Sequence, residues 1–537
     1  MRRFCLNLYL FFAAVYLLSA SGRIGLADSV AMLNVTHSMA HEFSLNSEPC
    51  TPNLLAHPNH CVLGVDGRYY AGFGLLPSFL AVPALLTGEW VAGLFHADPS
   101  AVARVTVSLF TALLSAVAPV VLAMWILKLG YGSRTALCAA CILALASPFW
   151  HFGVKGFYSE PFVTLGLLLA AYLLSDSRSS LAVAFAGLAF GAACACRINV
   201  VILYPVFLLF LMFQTIVRKW RLLQFVREAM MFTAAFSIFA VLIALSNYLR
   251  FGSITKTGYH LVYPSASLLF ATPFFHGVFG LLFNGEVGLL VFAPWVIVSL
   301  LCFPSFLRMH LPEALSCGTL LLFTFVFFAK YDSWHGGWVA GPRFLTPVLP
   351  FLILAIVPLL ERLLIGSGPF LNPHPVLRPM LISLVLFGFL VQASGVFFPE
   401  ERYYALTTFY EKLSDKPWWR GSIPLASVDF LPQMGTTTPE MIRTSLSSDP
   451  ARLAAEAETG KWAAVSSTTT ESQFLSALPN SENFLMPNLL LFKLRLLGIP
   501  LIAASIYGLS LSCLAAVGLM GIKCYTFGRT PSLNVVR

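Results

Sequence analysis

LSCGTLLLFTFVFFA (315–329), YDSWHGGWVAGPRFLTPVLP (331–350) and FLILAIVPLL (351–360) follow one another with only Lys330 intervening, and the contrast between them decides the fold. The two outer runs are apolar enough for bilayer spans. The middle stretch is polar, aromatic and glycine-rich, so it reads as a short connection at a membrane surface. Asp332, His335 and Arg343 are costly to hold at the edge of hydrocarbon unless each has a partner or a ligand. Trp334 and Trp338 suit an interfacial aromatic belt and equally offer flat faces for a sugar ring. The stretch by itself leaves both readings open.

Of the 537 residues, 58% are hydrophobic and only 11% charged, whereas soluble domains carry roughly 25% charged residues. The apolar runs are continuous rather than alternating, which excludes a β-barrel and points to an all-α polytopic membrane protein. Net charge is +9. Most basic residues fall in short loops on one predicted side, as the positive-inside rule requires, so the excess describes orientation and not nucleic-acid binding.

The run Phe4 to Ala20 follows Met1-Arg2-Arg3 and reads as a retained first span with a cytoplasmic N-terminus. Ser19-Ala20-Ser21-Gly22 offers the alternative of a cleaved signal peptide. Further spans are expected near 103–127, 135–149, 162–176, 181–196, 199–217, 229–247, 287–306, 312–329, 345–360, 379–396 and 497–522, making about twelve. Residues 1–396 form the transmembrane module, with a first outer loop over 21–102. Within that loop 70–95 is interrupted by Gly72, Gly74, Pro77 and Pro83 and is expected to lie in the interface as helices. Residues 397–490 are the one sizeable hydrophilic region, read as a small lid or a floppy loop. Residues 491–537 supply the last span and a cytoplasmic tail.

Several polar side chains gather on the predicted outer side. Asp28 opens the first outer loop, where a partly buried carboxylate can serve as a general base or simply as a helix N-cap. Asp66-Gly67 is a turn, and Arg68 beside it stands within reach of a phosphate at headgroup depth. Lys155, Tyr158 and Glu160 lie close together ahead of Pro161, as an internal pair or as a cation for phosphate and an acceptor for a sugar hydroxyl. HExxH and GxxxxGK[ST] are absent, and Cys138-Ala139-Ala140-Cys141 lies inside an apolar run, so no metal site or cofactor is called for. A divalent ion stays compatible with the chemistry. Cys50 and Cys61 share one polar loop and are spaced for a disulfide there.

Taken in order, Asp28, Asp66-Gly67-Arg68-Tyr69-Tyr70, Phe157-Tyr158-Ser159-Glu160-Pro161, Asn247-Tyr248-Leu249-Arg250-Phe251-Gly252-Ser253 with Gly258-Tyr259, Gly280-Leu281-Leu282-Phe283 with Gly288-Leu289-Leu290, and Trp334-His335-Gly336-Gly337-Trp338 with Gly341-Pro342-Arg343-Phe344 form a recognisable set. It resembles the multispanning bacterial glycosyltransferases of the GT-C superfamily, relatives of the protein mannosyltransferases and of the aminoarabinose transferases that act on lipid A. The resemblance implies a GT-C-like helical bundle in a bacterial inner membrane with its site facing the periplasm. It also implies a polyprenyl-phosphate-linked sugar as donor and a lipid, glycan or protein hydroxyl as acceptor. Asp28 takes the place of that family's general base. Many members carry a second acid nearby; here none stands beside Asp28, and Glu160 is the candidate. On this reading Arg343, Lys155 and Arg68 meet the donor phosphate. Glu160, Tyr158, Tyr259, Asp332, Trp334, His335 and Trp338 are left for sugar or acceptor. The competing reading is a transporter or lipid flippase, which needs ionisable residues deep within spans; Arg197, near a span end, is the main one present.

Overall fold

The computed structural model describes residues 2–24, 27–50, 60–175, 179–219, 221–337, 339–366, 375–398, 403–404, 406–407, 421–430 and 501–527. Continuous apolar sequence without β-alternation folds as helix almost throughout. In chain order the first helices are α1 (Arg2–Ser19), α2 (Ala27–His41), α3 (Leu76–Phe95), α4 (Pro99–Ser115), α5 (Val117–Lys128), α6 (Ser133–Leu145), α7 (Pro148–Val154) and α8 (Glu160–Leu174). The middle of the chain forms α9 (Ser180–Cys196), α10 (Tyr204–Val217), α11 (Leu222–Phe251), α12 (Gly258–Val262), α13 (Ala266–Leu269) and α14 (Phe274–Phe283). There follow α15 (Leu289–Phe292), α16 (Val296–Met309), α17 (Leu311–Lys330), α18 (Leu349–Ile365), α19 (Leu377–Phe397), α20 (Ile423–Phe430) and α21 (Leu501–Phe527). Among the described residues the one sheet is a two-stranded antiparallel ribbon, β1 (Val62–Leu63) with β2 (Tyr69–Tyr70).

Nine of the described helical segments are long and apolar enough to cross a membrane, or ten if the bent pair α6 and α7 is counted as one. The chain is thus a membrane protein, and two features account for the difference between nine or ten such helices among the described residues and the twelve spans expected. The segment expected at 135–149 breaks before Pro148, and its two parts meet at 61°. Helices α8, α9 and α16 are apolar but have only 15, 17 and 14 residues.

Two stretches expected outside the bundle are long enough to belong to it. Leu76–Phe95 is one continuous helix of 20 residues. Pro77 sits in its first turn, where a missing N–H costs nothing, and Pro83 is accommodated inside the helix nearly two turns further on. The α13–α14 stretch, Ala266–Phe283, also qualifies by length and hydropathy. The region 397–490 falls mostly outside the described residues.

Helix α18 is the centre of the bundle: 72% of the Arg343–Ile365 window is buried, against 6% for α11. Trp125 of α5 packs edge-on against Phe351 at 5.9 Å, and Phe328 of α17 stacks on Phe344 at 4.4 Å. The polar wedge therefore feeds directly into the most enclosed of the described candidate spans, which fixes the position of Arg343 at its entrance.

Two of the sequence blocks dock on each other. Arg250, at the end of α11, donates to the Ala71 carbonyl at 3.0 Å and to Asn247 Oδ1 at 3.2 Å. Val65 N–H donates to the Arg250 carbonyl at 3.1 Å, and Tyr70 meets Phe251 edge-on. Gly74 follows, with a hypothetical Cβ only 2.3 Å from the Ala195 carbonyl, so no larger residue lets this strand pass so near the end of α9. Cys50 and Cys61 are joined in a disulfide with Cα atoms 6.1 Å apart. This fastens the ribbon to the segment after α2.

Candidate active site

Four helix ends meet at one place. Asp28 lies in the first turn of α2 and Glu160 in that of α8, where the dipole favours a carboxylate. Arg197 directly follows the C-terminus of α9, where the dipole favours a cation. Arg343 opens the 3-10 turn Arg343–Val348 that leads into α18. Gly336, Gly337 and Gly341 all have positive φ, between +80° and +94°, and these left-handed steps turn the wedge so that Arg343 points inward.

Arg343 is the hub. Its Nη2 lies 2.6 Å from Asp28 Oδ2 and its Nε 2.6 Å from Glu160 Oε1, while Nη1 donates to the Gly336 carbonyl at 3.3 Å. Arg197 donates to the same Glu160 oxygen. Asp28 Oδ1 is hydrogen-bonded to His60 Nε2. The guanidiniums are also stacked, Arg343 over Tyr158 at 5.6 Å and Arg197 over Phe344 at 4.8 Å. The Glu160 side chain is fully buried and that of Arg343 8% exposed, whereas Asp28 keeps 22%. Glu160 is thus the buried counter-ion that aligns two arginines, and Asp28 is the more exposed of the two acids.

Burial alone would raise the Asp28 carboxyl, but Arg343 and then His60 outweigh it and hold it well below the usual carboxylate range. Tyr259 is pushed upward, chiefly by burial and against the opposing pull of Arg197. Asp28, Phe73, Ser159, Arg197, Tyr259 and Arg343 all line one cleft. In this state it is nearly filled, with about 10 Å³ open to the centre of a water-sized sphere. Both carboxylates already face guanidiniums, an environment that disfavours a divalent ion between them. A larger hollow of about 600 Å³ between α8, α9 and α11 is walled by side chains such as Leu169, Phe185 and Phe239 and contains no ionisable group.

The remaining candidates separate into those at the cleft and those elsewhere. Tyr158 is buried beneath Arg343, packed with Phe152 and Val339, and supports the guanidinium from behind. Lys155 is directed away: its ammonium donates to the Phe398 carbonyl at 3.3 Å and it does not line the cleft. Arg68 is exposed in the ribbon's turn, where its N–H donates to Asp66 Oδ1. Asp332 is exposed and its N–H donates to the Leu269 carbonyl.

Trp334 lies flat on Gly280, whose hypothetical Cβ would come within 2.2 Å of the indole, so this ring is engaged by α14. His335 is exposed and its Nδ1 accepts from Gly337 N–H. Trp338 lies outside the described residues. Sequence reasoning missed Arg197 as a member of the site, and missed His60. The available signals were an arginine ending an apolar helix at the predicted level of Asp28, and a histidine beside the bridged Cys61. A search of protein-family models and of curated proteins finds no match to this chain.

Proposed function

We propose that the protein is an inverting membrane glycosyltransferase that moves a sugar from a polyprenyl-phosphate donor to an acceptor hydroxyl on the outer, periplasmic face. The observation that carries this reading is the meeting of Asp28 and Arg343 at 2.6 Å, from opposite ends of the catalytic module, in a cleft that also holds Arg197 and Tyr259. The acceptor oxygen attacks the anomeric carbon, the bond from that carbon to the phosphate oxygen breaks, and the phosphate leaves with the electron pair. Arg343 and Arg197 stabilise the charge that grows on it. Asp28 receives the hydroxyl proton. Arg197 thereby takes the part first given to Lys155, and Glu160 positions the two arginines rather than touching sugar.

A carboxylate held far below neutrality is a weak base, and donor binding supplies the remedy. Two acids and two guanidiniums balance one another in the cleft. An arriving phosphate adds a negative charge and draws Arg343 from Asp28, and both effects raise the basicity of Asp28 when the acceptor is to be deprotonated. The test is incubation of purified protein with radiolabelled polyprenyl-phosphate sugar and a panel of acceptors, following release of lipid phosphate. Asp28→Asn is expected to abolish transfer while leaving donor binding nearly intact; retention of most of the rate would remove Asp28 from the mechanism. Movement of the intact donor across the bilayer without cleavage would instead support the flippase reading.

A further inference from the structure

Helix α2 ends on two histidines one turn apart, His37 and His41, so both rings leave the same face. Their centroids are 4.6 Å apart. Glu89 reaches across from α3 and places Oε1 2.9 Å from His41 Nε2. One donor atom from each of the three lies within 4.8 Å of the other two. From these positions we propose that His37, His41 and Glu89 form a site for a divalent transition-metal ion, zinc by its donor set, that ties the far end of α2 to α3.

Two imidazoles and a carboxylate are a set that zinc accepts while keeping a fourth position for water. Tetrahedral bonds of roughly 2.0–2.2 Å require donor atoms about 3.3–3.5 Å apart. Closing the site therefore takes about an ångström of side-chain rotation. Both histidines are exposed and Glu89 is half-buried, so that rotation displaces no packed neighbour of the imidazoles. A plain surface ion pair accounts for His41 and Glu89 but not for the placing of the His37 ring, whose centroid lies 4.6 Å from that of His41.

The ion's task is mechanical. With a rise of 1.5 Å per residue, His41 stands about 20 Å along α2 from Asp28, too far to touch reacting atoms. Nearer Asp28 the two helices are already joined by Ser78 Oγ donating to the Met32 carbonyl at 2.8 Å. A metal at the other end would hold α2 at two points and stiffen the helix that carries Asp28. The inference does not depend on the glycosyltransferase reading, because its readout is metal binding.

The experiment uses tag-free full-length protein in detergent, stripped with chelator and titrated with Zn²⁺, with Co²⁺ as the spectroscopic probe. One tightly bound Zn²⁺ per chain, a rise in thermal midpoint with free Zn²⁺ and the visible absorption of four-coordinate Co²⁺ are expected. His37→Gln, His41→Ala and Glu89→Gln should each weaken Zn²⁺ binding by at least the roughly 10–100-fold that even outer-shell changes cost. Should His41→Ala fail to fold, His37→Gln carries the test, since that ring is exposed and holds no ion pair among the described residues. Absence of stoichiometric Zn²⁺ binding by the stripped wild type, or binding unaltered by His37→Gln and Glu89→Gln, would overturn the proposal.

Discussion

Replacing Glu160 by Gln is the sharpest probe of the buried network, because one fully enclosed oxygen accepts from both Arg343 and Arg197. Removing one partner of a buried ion pair costs about 3–5 kcal/mol, since the surviving charge stays desolvated without compensation. Here the loss is moderated. Arg343 keeps Asp28, Arg197 keeps the Phe344 ring, and a glutamine carbonyl still accepts one hydrogen bond. The expected destabilisation is therefore near the lower bound, about 3 kcal/mol. Denaturant unfolding of the purified protein in detergent measures it, with Arg197→Gln and the double variant completing a cycle. Because the second substitution removes the orphaned cation, the double variant should be less destabilised than the sum of the singles by at least about 1 kcal/mol. A Glu160→Gln protein within about 1 kcal/mol of wild type, or strict additivity, would refute the view that Glu160 is the shared counter-ion.

Arg343→Ala is expected to lose donor turnover far more than Arg197→Ala, and Arg343→Lys to recover little of it, because one ammonium cannot face Asp28, Glu160 and a phosphate together; an Arg343→Lys variant that keeps most of the wild-type rate would leave the fork unsupported. Asp28 has a depressed pKa in the folded protein, so its contribution to stability is fully present above about pH 4, the unfolded value, and is lost as pH falls through the lower folded value. Asp28→Asn should accordingly flatten the acid limb of a stability profile, and an unchanged limb would contradict the ion pair. Joint replacement of Cys50 and Cys61 by Ser opens a loop of sequence separation 11 and should cost about 2–3 kcal/mol on loop-entropy grounds, read as a lower unfolding midpoint under oxidising conditions.

How much of this was legible in the chain depends on what each residue's neighbours are. Asp28 and Arg343 could be assigned to the same predicted level from sequence because each lies near the end of a long apolar run, but their direct ion pair was not legible there. Lys155 and Glu160, five positions apart, invite pairing on paper. The intervening turn separates them, sending the lysine to Phe398 and the glutamate into the core. Trp334 looked free for stacking because nothing in its own stretch covers it. The residue that does is Gly280, more than fifty positions earlier, whose missing side chain is what makes room. Pro77 and Pro83 argued for a broken segment, yet Leu76–Phe95 is one continuous helix of 20 residues, while the uninterrupted apolar runs at 162–176 and 181–196 form helices of only 15 and 17 residues. The approach of His60 to Asp28 spans 32 positions of sequence, and its one local signal is its place beside the bridged Cys61.

The ring of Asp28, Arg343, Glu160 and Arg197 has a bearing on which anions the cleft will tolerate. With two carboxylates seated against two guanidiniums, little field leaks into solvent to gather passing ions. Sulfate or orthophosphate arriving from water must evict an acid that is tethered to the same scaffold and so always at hand. Only an anion that also grips the protein somewhere else brings enough additional contact to win that exchange. Discrimination against small buffer salts is in this sense built into the resting arrangement, before any selective pocket is formed.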